Sequence, residues 1–163
     1  MNGAQLHLLL NHLPVIIPLV ALPILAIGFI GASAEIKKVG LWLVLASALT
    51  AIPTYLSGDG AETIIKNYPD ISRKTISTHE DAAWRSLLVM ELAGAFSLAL
   101  LVASHLKKNF PPAIWMILMI LVSISFALIA WTAHLGGFIR HEEIRPREML
   151  QPASATIIDD MAR

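Results

Sequence analysis

The chain contains four long blocks of apolar residues, separated by shorter polar segments. The blocks cover residues 13–34, 39–57, 86–104 and 110–133, and Glu91 is the one charged residue inside them. Each block is long enough to cross a hydrocarbon layer of about 30 Å as an α-helix. The pattern therefore predicts an all-α membrane protein, a four-transmembrane-helix bundle with both termini on one side.

The polar segments between the blocks set the predicted boundaries. We expect a transmembrane domain over residues 1–145, with helices over about 6–33, 39–57, 79–105 and 111–139, an interfacial loop over 58–78, and a flexible polar tail over 146–163. Within the loop, Asp59 and Glu62 have the spacing of a helix N-cap with its N3 carboxylate. Ser77 with Glu80, or Thr78 with Asp81, fits a capping box that opens the third helix.

Three prolines interrupt the first apolar block. Pro14, Pro18 and Pro23 each lack the N–H that a helix needs to satisfy a carbonyl four residues earlier. In a bilayer no water replaces that hydrogen bond, so neighbouring helices must satisfy the freed carbonyls. The sequence predicts a bent first helix.

The composition fits a bilayer protein and excludes several kinds of chemistry. Hydrophobic residues make up 56 % of the chain and charged residues 15 %, and the formal net charge is zero, which indicates no nucleic-acid partner. The four tryptophans lie near the ends of the apolar blocks, where indole rings favour the membrane interface. The chain has no cysteine, which excludes a covalently attached c-type haem, a thiolate cluster and a thiol nucleophile.

The predicted topology gathers ligand-type residues at one membrane face. Five of the six histidines fall there, at positions His7, His12, His79, His134 and His141. The same face also carries charged residues, namely Asp59, Glu62, Glu80, Asp81, Arg85, Arg140, Glu142 and Glu143. Helix bundles build cofactor sites from facing helices in this way, and imidazole binds both metals and haem iron. We therefore expect a histidine-lined cofactor site at this face.

Two cofactor classes and a cofactor-free alternative stay open. A b-type haem would take His12 and His79 as its axial pair, with His7 and His141 at a second site or in supporting positions. Gly136, Gly137 and Gly58 or Gly60 would allow close backbone approach, and Arg85 or Arg140 would meet the propionates. A zinc, iron or copper site would instead combine His12, His79 and His141 with Asp59, Glu62 or Glu80. Alternatively, these residues serve helix caps and partner contacts in an accessory or assembly subunit of a membrane complex.

Two further residues refine these hypotheses. On one continuous helix His7 and His12 point about 140° apart, so they share an ion only if the helix breaks near Asn11 or Pro14. Glu91 lies deep in the third helix, and a carboxyl group at such depth is a functional-site hypothesis by default. It suits a proton relay, a quinone contact or a polar packing contact, and a proton-coupled transporter is the corresponding third hypothesis.

The ordered motifs "HLLLNHLP", "SGDGAE", "THEDAA" and "LGGFIRHEEI" resemble a bacterial family of small four-helix integral membrane proteins catalogued as a domain of unknown function. The resemblance covers about residues 4–145. It rests on a His-x-Pro at helix 1, a Gly-acid pair after helix 2, a histidine before helix 3 and a double glycine near the end of helix 4. By this likeness His141 matches the pattern better than His134. Related domains joined to periplasmic c-type cytochrome domains imply a redox setting.

Together these observations predict electron transfer in a bacterial inner membrane, to or from a quinone or a periplasmic cytochrome, by a homo-oligomer or a complex subunit. The short turns hold Lys37, Lys38, Lys107 and Lys108. Dense positive charge favours the cytoplasm, which places the histidine face in the periplasm. A plain count of Lys and Arg favours the reverse, with 7 residues on the histidine face against 4 in the turns.

Overall fold

The computed structural model describes residues 2–66, 68, 71–106 and 109–146. The helices are α1 (Gly3–Leu10), α2 (Leu13–Ile30), α3 (Ala34–Ile65), α4 (Arg73–His105) and α5 (Pro112–Arg140), followed by a 3-10 turn (Glu142–Ile144). No strand occurs within these ranges, and the predicted all-α fold class is confirmed. The predicted flexible tail lies, from residue 147 onward, outside the described residues.

Four helical segments are long and apolar enough to cross a membrane: α1 with α2 (Gly3–Ile30), then α3, α4 and α5. Consecutive spans pack against each other, α2 also contacts α5, and α1 packs on α3. The protein is thus a multi-pass four-helix bundle. Its "histidine end" is formed by α1, the C-terminal end of α3, the N-terminal end of α4 and the C-terminal end of α5. The opposite end, around Glu35 and Lys38, is called the "lysine end".

The first span is broken between α1 and α2, and proline explains the break. Pro14 cannot donate to the carbonyl of Leu10. The Thr54 hydroxyl on α3 lies 3.3 Å from that oxygen, but its shorter hydrogen bond, at 2.7 Å, goes to the Thr50 carbonyl. Pro18 likewise frees the carbonyl of Pro14, to which the buried hydroxyl of Ser47 donates at 3.4 Å. The expectation that a neighbouring helix satisfies a freed carbonyl is confirmed at Pro14, and the bend of the first span stays a prediction.

Helix α3, which is the second predicted span, is longer than predicted, because residues 58–65 continue α3 instead of starting a loop. Asp59 and Glu62 therefore lie inside α3 and do not cap a separate helix. Two glycines in this stretch cost about 1 kcal/mol each in helix propensity. Packing offsets that cost: Gly60 lies against Gly3 of α1, where a Cβ on Gly60 would stand 3.0 Å from the Gly3 Cα.

Helix α4, which is the third predicted span, begins at Arg73, six residues before the predicted start. Ser72 is its N-cap, and the Ser72 hydroxyl accepts a hydrogen bond from the Thr75 backbone N–H at 3.1 Å. The predicted capping boxes at Ser77 and Thr78 are wrong. Both hydroxyls donate to the Lys74 carbonyl within the helix.

The core consists of two apolar layers separated by small residues. One layer lies toward the lysine end and centres on Leu25, Leu41, Val44, Leu118 and Val122, all 1 % exposed or less. The other layer lies closer to the histidine end and contains Ala48, Ala51, Met90 and Ile129. Small residues at helix contacts let membrane helices approach closely, and the contact of Gly94 with Ala48 between α4 and α3 is of this kind.

Candidate cofactor site

The structure pairs His7 of α1 with His79 of α4 at the histidine end. Their ring centroids are 6.4 Å apart and their ring planes are inclined at 88°. The two rings come from separate spans, 72 positions apart in the sequence. His79 was expected to face His12, and the structure places His7 there instead.

The His7 ring is held by α3 through its Nδ1 atom. Nδ1 lies 3.1 Å from the Thr54 carbonyl oxygen and 3.1 Å from the Ser57 hydroxyl. A carbonyl can only accept, so the bond to Thr54 requires the proton on Nδ1. Ser57 donates to the same carbonyl at 2.7 Å. This arrangement leaves the lone pair of the neutral ring on Nε2.

The His79 ring is held in the same manner by α5. Its Nδ1 lies 3.0 Å from the Thr132 carbonyl oxygen, which again places the proton on Nδ1 and the lone pair on Nε2. The Thr132 hydroxyl shares a 2.7 Å hydrogen bond with the buried hydroxyl of Ser86 on α4. Gly136 gives the ring its space, because a Cβ there would stand 3.0 Å from Cε1 of His79.

The separation of the two rings suits two ligands on opposite sides of one metal atom. With metal–nitrogen bonds of about 2.0 Å and nitrogens about 1.15 Å from the ring centre, trans imidazoles have centroids roughly 6.3 Å apart, and a tetrahedral pair roughly 5 Å. The observed 6.4 Å is close to the longer of these two separations, and it also lies in the range of an edge-to-face ring contact without a metal. Within the described residues no group of three or more His, Asp or Glu is placed to hold a metal ion.

The remaining predicted histidines lie apart from this pair. His12 is exposed at the start of α2, and within the described residues its ring forms no hydrogen bond or ring contact. His134 packs on Trp131 and Phe138 of its own helix, with centroids 5.5 and 4.5 Å away. The break at Asn11, which was the condition for His7 and His12 to share an ion, is present, yet His7 turns to α3 and His79.

The segment after α5 forms its own small polar cluster. His141 is exposed, and its Nδ1 lies 2.9 Å from Oε1 of Glu143. The pKa of Glu143 is lowered, first by a hydrogen bond from its own backbone N–H and then by the bond from His141. Arg140 is exposed at the end of α5, and a Cβ on Gly137 would meet the side chain of Ile144 rather than a histidine.

The acidic residues form a layer at the histidine end without converging on a metal position. The carboxylates of Glu62, Asp59 and Asp81 are the electrostatic neighbours of Glu80. Asp59 and Glu80 are exposed and Glu62 is half-buried. These side chains are not brought together with the histidine pair as a ligand set in the part of the chain that is described.

Glu91 lies three helical turns from His79 along α4. Its side chain is half-buried, and its Oε1 atom is buried without a hydrogen-bond partner among the described residues. Two buried hydroxyls of the neighbouring helices α3 and α5 have other partners. Ser47 donates to the Pro14 carbonyl, and Ser125 donates to the sulfur of Met90.

Sequence reasoning missed the residues that orient the two rings. Thr54 and Ser57 lie one turn apart at the end of an apolar block, and this spacing marks a polar stripe on one helix face. Thr132 is a polar residue within a long apolar block, facing the histidine end. Neither signal identifies a histidine partner, because their carbonyl groups, which any residue has, hold the rings.

Comparison with family models, with curated proteins and with solved structures finds no match. The resemblance to a family of small four-helix membrane proteins thus stays a prediction. The case for a function rests on the geometry of the histidine end.

Proposed function

We propose that the protein binds one b-type haem between His7 and His79 and transfers electrons in the membrane. The observation that carries the proposal is the perpendicular imidazole pair with a centroid separation of 6.4 Å. A porphyrin supplies four nitrogen ligands, so two imidazoles complete the coordination of its iron. Zinc sites need three or four protein ligands, and no such group occurs in the described ranges.

The residues around the pair fit this assignment. The hydrogen bonds from Nδ1 to the carbonyls of Thr54 and Thr132 hold both rings and leave both Nε2 lone pairs without a hydrogen-bond partner among the described residues. Such bonds also raise the basicity of an imidazole ligand. Gly136 admits the His79 ring close to α5. The haem would accept and release single electrons.

The proposal includes a cellular setting. The lysine-rich turns favour a cytoplasmic location, which places the histidine end in the periplasm of a bacterial inner membrane. There the haem would exchange electrons with a quinone in the bilayer or with a periplasmic cytochrome.

The test is a visible spectrum of the protein purified in mild detergent, recorded before and after dithionite. We expect a Soret band and α and β bands that sharpen on reduction. His7→Ala and His79→Ala should lose the bound haem, and His12→Ala is the matched control that should keep it. A colourless preparation that stays colourless after haem supplementation would refute the proposal.

A cofactor-free accessory subunit is the competing proposal, and the same ring contact supports it. Edge-to-face pairs of aromatic rings with centroids 4.5–7 Å apart stabilise one another by about 1 kcal/mol without any metal. This alternative predicts a protein without haem absorption bands and without metal by elemental analysis. It also predicts co-purification with a larger membrane complex. Stoichiometric zinc, iron or copper without haem would instead identify a non-haem site, which His79→Ala should abolish.

A further inference from the structure

A groove of about 210 Å³ lies on the outer surface between α4 and α5, near the histidine end. Its lining combines polar and apolar side chains, among them Thr78, Asp81, Arg85, Leu128, Trp131 and Leu135. Trp131 is 56 % exposed, so its indole faces outward from the bundle. The residues of α4 that line the groove span about 10 Å along the axis, starting near the membrane interface. A ligand can therefore enter from the lipid.

The two charged side chains of the groove are available to a ligand. Asp81 and Arg85 lie one turn apart on α4 and are both exposed. The salt bridges in the described part of the chain are Lys38–Glu35 and His141–Glu143, so Asp81 and Arg85 are not paired with each other. Arg85 offers hydrogen-bond donors and Asp81 offers acceptors, and the Thr78 hydroxyl, which donates to the Lys74 carbonyl, can accept.

The groove adjoins the residues that hold His79. Thr78 and His79 are consecutive on α4, and Trp131 and Thr132 are consecutive on α5. The Thr132 carbonyl accepts the hydrogen bond from His79. The groove thus lies on the outer side of the same two helical turns whose inner side carries the histidine pair.

We propose that this groove binds the head group of an isoprenoid quinone or quinol from the bilayer. The head group is a neutral ring with oxygens at opposite ends: Arg85 would donate to a carbonyl of the quinone, Asp81 would accept from a hydroxyl of the quinol, and the ring would lie against the Trp131 indole. An anionic phospholipid head group fits less well, because Asp81 repels the phosphate that Arg85 attracts. The leucines of the groove would contact the isoprenoid tail.

The inference rests on the proposed electron-transfer function and extends it. A quinol bound in the groove would give up its two electrons one at a time, through the single haem, to two molecules of a one-electron periplasmic cytochrome. The quinol would leave as the quinone, and its two protons would pass to water.

Fluorescence quenching tests binding without any need for haem. A variant that keeps Trp131, with Trp42, Trp84 and Trp115 changed to Phe, is placed in phosphatidylcholine nanodiscs and titrated with decylubiquinone. We expect saturable quenching of Trp131. A matched variant that keeps only Trp42, an exposed residue near the lysine end, should show the linear quenching of a quinone dissolved in the bilayer. Linear quenching of both variants would refute the groove.

Substitutions in the groove provide the second measurement. In the variant that keeps Trp131, Arg85→Gln should weaken decylubiquinone binding by about tenfold or more, because it removes a charge-assisted hydrogen bond to a quinone carbonyl. Asp81→Asn should not weaken it, because an oxidised quinone has no hydrogen to donate to the carboxylate. Arg73→Gln, an exposed change outside the groove, should leave binding unchanged. Equal binding by all three would overturn the proposal. Loss of saturable quenching in phosphatidylglycerol nanodiscs, restored by Arg85→Gln, would instead assign the groove to a lipid phosphate and also overturn it.

The two proposals fail in different ways. A colourless protein with saturable Trp131 quenching would refute the haem and keep the quinone site. A haem protein with linear quenching would refute the quinone site and keep the haem. If both hold, decylubiquinol should reduce the haem of the wild type, and Arg85→Gln should slow that reduction without changing the haem spectrum.

Discussion

At the scale of single residues, the absence of a side chain at Gly136 decides where the His79 ring can lie. A Cβ at this position would stand 3.0 Å from Cε1 and 3.4 Å from Nδ1 of the ring. The ring cannot move freely, because its Nδ1 is bound to the Thr132 carbonyl on the same helix. Space and hydrogen bonding therefore fix the same imidazole from two sides.

Gly136→Ala should consequently displace His79 and weaken haem binding while leaving the bundle folded. Overpacking of this kind costs about 1–3 kcal/mol, so we expect a roughly tenfold or larger loss of haem affinity, measured by haem titration of the purified apoprotein. Gly137→Ala is the control, since its Cβ would meet only the flexible tip of Ile144 at 3.3 Å. Equal haem affinity in both variants would show that the ring is not confined by α5.

At the scale of the helices, the break between α1 and α2 positions His7. Pro14 ends the hydrogen-bond ladder at Leu10, whose carbonyl the Thr54 hydroxyl contacts at 3.3 Å, and the Thr54 carbonyl holds the His7 ring. One residue of α3 thus joins the break in the first span to the orientation of the imidazole.

Pro14→Ala restores the missing N–H and favours a continuous helix through residues 10–14, because an interior proline costs a helix about 3 kcal/mol. We expect this change to rotate α1 and lower the haem content of the purified protein although no ligand is altered. Pro23→Ala, at an exposed position of α2, should retain haem. The haem-to-protein ratio of both variants measures the effect, and full haem in Pro14→Ala would contradict this role of the break.

The sequence predicts the four spans well and their ends poorly, for a physical reason. Uninterrupted apolar blocks leave the chain no alternative to helices in a bilayer. The polar residues 58–65 carry no such constraint, and they continue α3 through a contact between Gly60 and Gly3 that is distant in sequence. His79 was predicted as a site residue, but its pairing with His7 instead of His12 depends on the geometry of the α1–α2 break.

At the scale of the whole molecule, the polar groups are concentrated at one end, and the proposed function requires that end to face the periplasm. The chain has no cysteine, so single cysteines report accessibility without background. Arg73→Cys at the histidine end should react with a membrane-impermeant maleimide on intact spheroplasts. Glu35→Cys at the lysine end should react only after the membrane is opened. The reverse pattern would place the histidine end in the cytoplasm.

At the same scale, variants of Glu91 test whether the protein transfers electrons or conducts protons. Glu91 is the one charged residue in the four apolar blocks, so a proton that reached it would find no second carboxylate or basic group within the apolar interior. Its buried Oε1 has no partner in the described ranges, as expected for a neutral carboxyl group in a helix contact. We expect Glu91→Gln to leave proton flux into liposomes unchanged and to keep the haem spectrum. Glu91→Leu should raise the thermal stability, because it removes a polar group that costs about 1–3 kcal/mol when buried unpaired. Proton flux that requires the protein and disappears in Glu91→Gln would establish a proton pathway instead.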